Sequence, residues 1–183
     1  MGQVPLQPPF PLRVLVVDGY DDARECLCLL LRLWGWQAEP AADGPQALAS
    51  APVFRPDVVL LELALPGMDG YETARRLRQL PKRPLLAAVT GYGRAEDRRR
   101  TRRAGFVAHL VKPTDPAELR TLLSRAAGLF GLARAAASAS ERAISRHLRI
   151  QAAAAVGLKL PREAVDGPLD DGASNFSEEM SAL

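Results

Sequence analysis

Strand-length apolar runs that alternate with helix-patterned segments constrain this chain more than any other feature. RVLVV (13–17), DVVLL (57–61), LLAAV (85–89) and VAHLV (107–111) are such runs, and Gln37–Glu39 is a weaker fifth candidate. After Asp57 the second of them carries no polar residue, as a parallel strand covered on both faces should. The intervening segments read as helices. One runs from Asp22 to Trp34, with Asp22 and Glu25 as a capping box and Gly35 as its stop. A short one covers Gly44–Ser50, and another covers Gly70–Gln79 with Asp69 and Glu72 as a second box. An arginine-rich helix covers Arg94–Arg103 before Gly105, and a fifth begins at Asp115, Pro116 and Glu118, which suit N-cap, N1 and N3. Five strands alternating with five helices predict one α/β domain over residues 12–130, with a parallel sheet and right-handed crossovers.

The remaining segments differ in composition. Residues 1–11 are Pro-rich and are expected to form a disordered leader, residues 131–160 are Ala- and Arg-rich and predict a helix, and residues 161–183 predict an acidic disordered tail. Charge is uneven. Arg94–Arg103 carries six Arg against Glu96 and Asp97; residues 134–160 carry four Arg and one Lys against Glu141; residues 161–183 carry Arg162 against six acids. Such opposed segments argue against a uniform nucleic-acid face and could attract each other. No apolar run approaches the roughly 18 residues of a membrane span. The start, MGQVPLQPPFP, has no basic stretch leading into an apolar one, so a secretory leader is not expected and the setting reads as cytoplasmic. Cys26 and Cys28 lie two apart on a helix, which points their side chains away from each other and argues against a disulfide or a metal pair. Trp34 and Trp36 read as core edge, and His147 as a solvated helix position.

In an open parallel α/β sheet, ligands bind beyond the carboxyl ends of the strands. The residues at those ends are Asp18, Glu62, Thr90 and Lys112, the last followed by Pro113. Two acids, a hydroxyl and an amine at one rim suit a divalent cation plus an anionic group. A bare structural ion pair at Lys112 is the plainer alternative. An unrelated cofactor enzyme of this α/β class would need a Gly-rich phosphate loop after the first strand, and DGYDD is not one.

VVDGYDDARE, PDVVLLELALPGMDGYE, AVTGYG and HLVKP resemble the four signature stretches of response-regulator receiver domains. The resemblance implies a flavodoxin-like fold of strand order 2-1-3-4-5 with helices on both faces. It implies phosphoryl transfer from a histidine kinase to an aspartate after the third strand, with Mg²⁺ present, and a downstream signalling protein as target. Thr90 and Lys112 match the hydroxyl and lysine that would contact phosphoryl oxygens; Pro113, Gly67 and Gly70 also match, and Asp18 matches the first acid of the metal-binding pair. Gly19 stands where the second acid is expected, Glu62 stands at the phosphoacceptor, and His109 holds the place of the switch aromatic. The arginine-rich helix belongs to the family's output surface, so an acidic partner is an alternative there to a solvated face.

The departures have physical consequences. Glutamate reaches about 1.5 Å further than aspartate, and misplacing a reacting group by about 1 Å can cost on the order of 100-fold. Glycine at position 19 removes a carboxylate from a Mg²⁺ site, where near-ideal octahedral geometry is needed, and Asp21 or Asp22 would replace it only in part. With Asp18 and Glu62 as weak metal-binding candidates, Mg²⁺ binding should be weakened. The expectation is a pseudo-receiver, not an enzyme, in which Glu62 pairs with Lys112 and biases the domain toward one fixed signalling state, and which acts by protein–protein interaction. The alternatives are a receiver that still accepts phosphate from a histidine kinase, and a DNA-binding regulator acting through residues 134–160. The oligomeric state is not legible in the sequence.

Overall fold

The computed structural model describes residues 11–155, with side chains described up to Ala137 apart from those of Leu132 and Ala135. The leader apart from Pro11, and the acidic tail, lie outside the described residues, as do the side chains of residues 138–160, His147 included. Five strands, β1 (Arg13–Val17), β2 (Gln37–Ala41), β3 (Val58–Leu61), β4 (Leu85–Thr90) and β5 (Ala108–Val111), form one parallel sheet in the order β2-β1-β3-β4-β5. The helices are α1 (Asp21–Leu33), α2 (Gly44–Phe54), α3 (Gly70–Leu77), α4 (Ala95–Arg103) and α5 (Pro116–Ala155).

Alternation along each strand divides the core in two. Val14, Val16, Val58 and Leu60 face α1 and α5, where Cys28, Leu31, Leu119 and Leu123 meet them. Leu15, Val17, Val59 and Leu61 face α2 and α3, where Ala47, Ala51, Ala74 and Leu77 meet them. Both faces of the inner strands are therefore covered, which is why their sequence runs are apolar without interruption. β2 lies at the sheet edge and is only partly buried. That position accounts for its weak signal and for its tolerance of Pro40, whose missing N–H costs little at an edge.

Several helix limits differ from the sequence expectation. The expected Asp22–Glu25 box does not form: α1 starts one residue earlier, with Tyr20 as N-cap and no side-chain cap bond. The Asp18 carboxylate takes the Tyr20 N–H at 3.0 Å, and Arg24 donates to the Asp18 carbonyl at 2.7 Å, so this entry turn is held from the strand side. Asp69 does cap α3, accepting from the Glu72 N–H at 2.8 Å. The return arm is absent because Glu72 turns to Arg75 and Arg76, whose guanidinium groups hold its carboxyl down at about 2. α2 continues past Ser50 to Phe54 despite Pro52, which gives up only one helical bond near the end. The two helices expected on either side of residue 130 are one helix, Pro116–Ala155. Gly128 and Gly131 lower its propensity, but no proline stops it and Ala, Leu and Arg dominate around them. The described residues divide into two units, one up to Arg134 and one from Ala135 onward.

At the amino ends of the strands sits a feature the sequence did not advertise. Asp57, with its side chain 1% exposed, accepts from the Arg13 N–H at 2.9 Å, Lys82 Nζ at 2.8 Å and Arg134 Nη2 at 2.9 Å. Removing this carboxylate leaves a backbone donor and two cations without their acceptor. Asp57→Ala is expected to destabilise the domain by about 3 kcal/mol in a denaturant titration, since breaking a buried pair from one side typically costs 3–5 kcal/mol and both cations are partly solvated.

Candidate functional site

In a parallel sheet every carboxyl end lies on the same rim, and register decides which ends are neighbours. Val17 pairs with Leu61, and Thr90 with Val111. Asp18, Glu62 and Lys112 each follow directly, anchored by backbone bonds to Ala41, Val17 and Thr90. The structure thus gathers Asp18, Glu62, Thr90 and Lys112 at one rim. The Lys112–Pro113 peptide is cis.

Lys112 is the centre of the cluster. Its Nζ lies 2.6 Å from Asp18 Oδ2 and 2.7 Å from Glu62 Oε2. The two carboxylates are 5% and 6% exposed, while Lys112 is 27% exposed and lies 5.8 Å from the Tyr20 ring centroid. The second oxygens are also engaged. Asp18 Oδ1 accepts from Tyr20 N–H, and Glu62 Oε1 accepts from the N–H groups of Leu63 at 2.7 Å and Ala64 at 3.0 Å. Burial pushes the Glu62 carboxyl up, but the Lys112 ammonium, the Ala64 N–H and the Thr90 hydroxyl together outweigh it and leave it below the usual glutamate range. Burial likewise works against the Lys112 charge, and Asp18 and Glu62 reverse that, so the ammonium is held above the usual lysine range.

Glycine lets the loop after β3 close on this rim. A Cβ at Gly70 would lie 2.4 Å from the Glu62 carbonyl oxygen and 2.7 Å from Leu63 Cα, so only glycine allows α3 to start there. Gly67 has φ +74°. Gly19 faces Pro66, whose Cδ would be 3.3 Å from an added Cβ. Thr90 is fully buried, and its Oγ1 receives a long contact of 3.4 Å from Tyr92 N–H.

The donor set does not fit Mg²⁺ as it stands. Asp18 and Glu62 are two carboxylates whose four oxygens already have protein donors, and position 19 carries none. Asp21 is 77% exposed and turned to Arg24. Among the described residues no three His, Cys, Asp or Glu side chains are grouped to hold a metal ion.

His109 stands apart from the lysine cluster. It is buried on β5, with Nε2 2.6 Å from the Tyr92 carbonyl and Nδ1 3.0 Å from Thr101 Oγ1. Sequence reasoning singled out His109 but missed Thr101. The available signal was a lone hydroxyl inside an arginine run, at the helix position that turns inward. Cys26 is exposed and Cys28 buried, and both are free. Trp34 and Trp36 meet edge to face, with centroids 5.5 Å apart, at the border of the core.

A five-stranded parallel sheet carrying lysine, threonine and acids at its carboxyl rim defines a class of signalling module, and the comparisons agree with it. The family model described as "Response regulator receiver domain" matches residues 14–124. The chain belongs to that family. It is 32% identical over 113 residues to sporulation initiation phosphotransferase F of Bacillus subtilis, covering 62% of this chain and 91% of that protein. It is 35% identical over 181 residues to the cyclic di-GMP phosphodiesterase response regulator RpfG of Xanthomonas campestris, covering 93% of this chain and 47% of that protein. Among solved structures, the receiver domain of a sensor histidine kinase from Pseudomonas aeruginosa, with a magnesium ion coordinated in its active site cleft, superposes with a TM-score of 0.59. The identity is 31%, over 65% of this chain and 99% of that one. Receiver domains interact with histidine kinases and downstream signalling proteins. Among the described residues no helix is long and apolar enough to cross a membrane.

Proposed function

We propose that this chain is a pseudo-receiver: a receiver domain over residues 12–130 whose phosphoryl pocket is filled by its own side chains, and which signals by protein contact in one fixed state. One observation carries the reading. All four oxygens of Asp18 and Glu62 accept bonds from the protein, and Lys112 spans both carboxylates at 2.6 and 2.7 Å. Glu62 supplies to Lys112 and Thr90 the negative charge that a phosphoryl group on a shorter aspartate would supply. The same ion pairs oppose Mg²⁺, because a cation would have to displace the ammonium from both acids.

His109, at the switch position, is tied on both ring nitrogens, which supports a single arrangement of that part of the domain. Partners are a histidine kinase or a downstream signalling protein. A cytoplasmic setting goes with this reading and with the two free thiols. The similarity to RpfG runs past the receiver, which supports reading residues 131–160 as a helical continuation of the signalling module and not as a nucleic-acid reader.

The test is intact mass after incubation of the full chain with a small acyl phosphate and Mg²⁺. The expected mass is unchanged. A phosphate adduct on the unaltered protein overturns the proposal in favour of a working phosphoacceptor, as the relatives with phosphotransferase and magnesium chemistry suggest.

A further inference from the structure

His109 is a buried imidazole that takes no part in the Lys112 cluster, yet both of its ring nitrogens have partners. Nε2 lies 2.6 Å from the Tyr92 carbonyl oxygen. A carbonyl only accepts, so Nε2 carries the hydrogen. Nδ1 lies 3.0 Å from Thr101 Oγ1, and that hydroxyl also lies 3.0 Å from the Arg98 carbonyl. One hydroxyl hydrogen has two acceptors in reach. The Arg98 carbonyl sits inside α4, where the N–H four residues on supplies its bond. Nδ1 is buried, and Thr101 is the donor at hand for it. In the neutral imidazole a hydrogen on Nε2 leaves Nδ1 an acceptor, so the hydroxyl serves it in a bond shared with the Arg98 carbonyl. Arg98 completes the circuit by donating from Nη1 to the His109 carbonyl at 3.0 Å.

We propose that Thr101 is a positioning residue: it fixes His109 in the Nε2–H tautomer, and the pair latches α4 and the segment leading into it onto β5. Tyr92 joins this latch to the pocket. Its carbonyl is held by His109, while its N–H points at Thr90 Oγ1. One peptide residue thus links the buried hydroxyl beside Glu62 to the start of α4. The helix so held exposes Arg99, Arg102 and Arg103, and the latch sets the orientation in which that basic face is presented. The inference goes beyond the proposed function and stands whether or not Glu62 accepts a phosphoryl group.

Nitrogen–proton NMR of the imidazole groups in the full chain tests it, with His147 as the internal reference, since the chain has two histidines. The expected signature for His109 is the Nε2–H tautomer with a hydrogen-bonded Nδ1. In Thr101→Val that signature is lost, and amide exchange across residues 92–103 speeds up roughly tenfold, the loss of about one hydrogen bond, while β1–β3 keep their protection. Thr101→Ser, which keeps the hydroxyl, restores both. An Nδ1–H tautomer in the unaltered protein, or exchange in residues 92–103 that is the same in Thr101→Val as in the parent, overturns the latch.

Discussion

Lys112→Met is expected to lower the stability of the domain by about 3 kcal/mol at neutral pH, read as a shifted denaturant midpoint at unchanged slope. Methionine keeps much of the stem and its packing but leaves two carboxylates, 5% and 6% exposed, side by side without a cation. A lysine clamp on a solvated surface would cost 1 kcal/mol or less to remove. A loss that small would show that the acids are far better hydrated than their burial implies.

The pH dependence has a definite sign. In the unaltered protein Glu62 is held below the usual glutamate range, so its contribution is present above that range and is lost as pH falls through its depressed folded value. Lys112 is held above the usual lysine range, so its contribution is present below that range and is lost as pH rises through its raised folded value. In Lys112→Met burial acts on Glu62 without the ammonium, opposed only by the Ala64 N–H and the Thr90 hydroxyl, so its carboxyl rises from the depressed value and acidification costs the variant less stability than it costs the parent. The two stability curves should therefore converge as pH drops toward and below 4.5, the ordinary glutamate value, and be furthest apart near neutrality. Parallel curves across that range would contradict the direct role of Lys112 in neutralising Glu62.

The second large effect is a gain. The chain with the paired change Gly19→Asp and Glu62→Asp is expected to take phosphate from a small acyl phosphate and Mg²⁺, where the parent, as the proposed pseudo-receiver, is expected to take none. Shortening residue 62 withdraws its carboxylate by about 1.5 Å, and correcting a misplacement of about 1 Å is worth on the order of 100-fold in rate. It also takes Glu62 Oε2 from its 2.7 Å contact with Lys112 and frees the ammonium for a phosphoryl oxygen. The aspartate at position 19 adds a carboxylate beside Asp18, which should favour Mg²⁺. Its Cβ would meet Pro66 Cδ at 3.3 Å, close enough that the proline ring must shift by a few tenths of an ångström. Intact mass should show the adduct in the double variant, less of it in Glu62→Asp alone, and none in the parent. Failure of the double variant to take phosphate while it remains folded would mean that positions 19 and 62 are not what closes the pocket.

Much of this molecule was legible in the residue order because parallel sheets write a plain signal. Val58–Leu61 is covered by helices on both faces, so all four positions had to be apolar, and the rim residues follow as the first ones after such runs. Elements with divided loyalties were less legible. Asp22 looks like a helix cap by spacing, yet the cap position went to Tyr20 because Asp18, held on β1, fastens that turn from outside the helix. Glu72 looks like the return arm of a box, yet two arginines one turn away bind it first.

Local sequence by itself determined the alternation of strands and helices, the parallel class of the sheet and the identity of the groups at its rim, because burial periodicity and chain direction are properties of each segment. Tertiary structure alone decided that Lys112 touches both acids, that Asp57 serves Arg13, Lys82 and Arg134, and that Thr101 reaches His109. Those pairings depend on register between strands and on where a helix face lands. Hydrogen bonds and ion pairs act over about 3 Å, a distance that no spacing along the chain can specify between residues 44 to 94 positions apart, as Asp57 with Arg13 and Lys112 with Asp18 are.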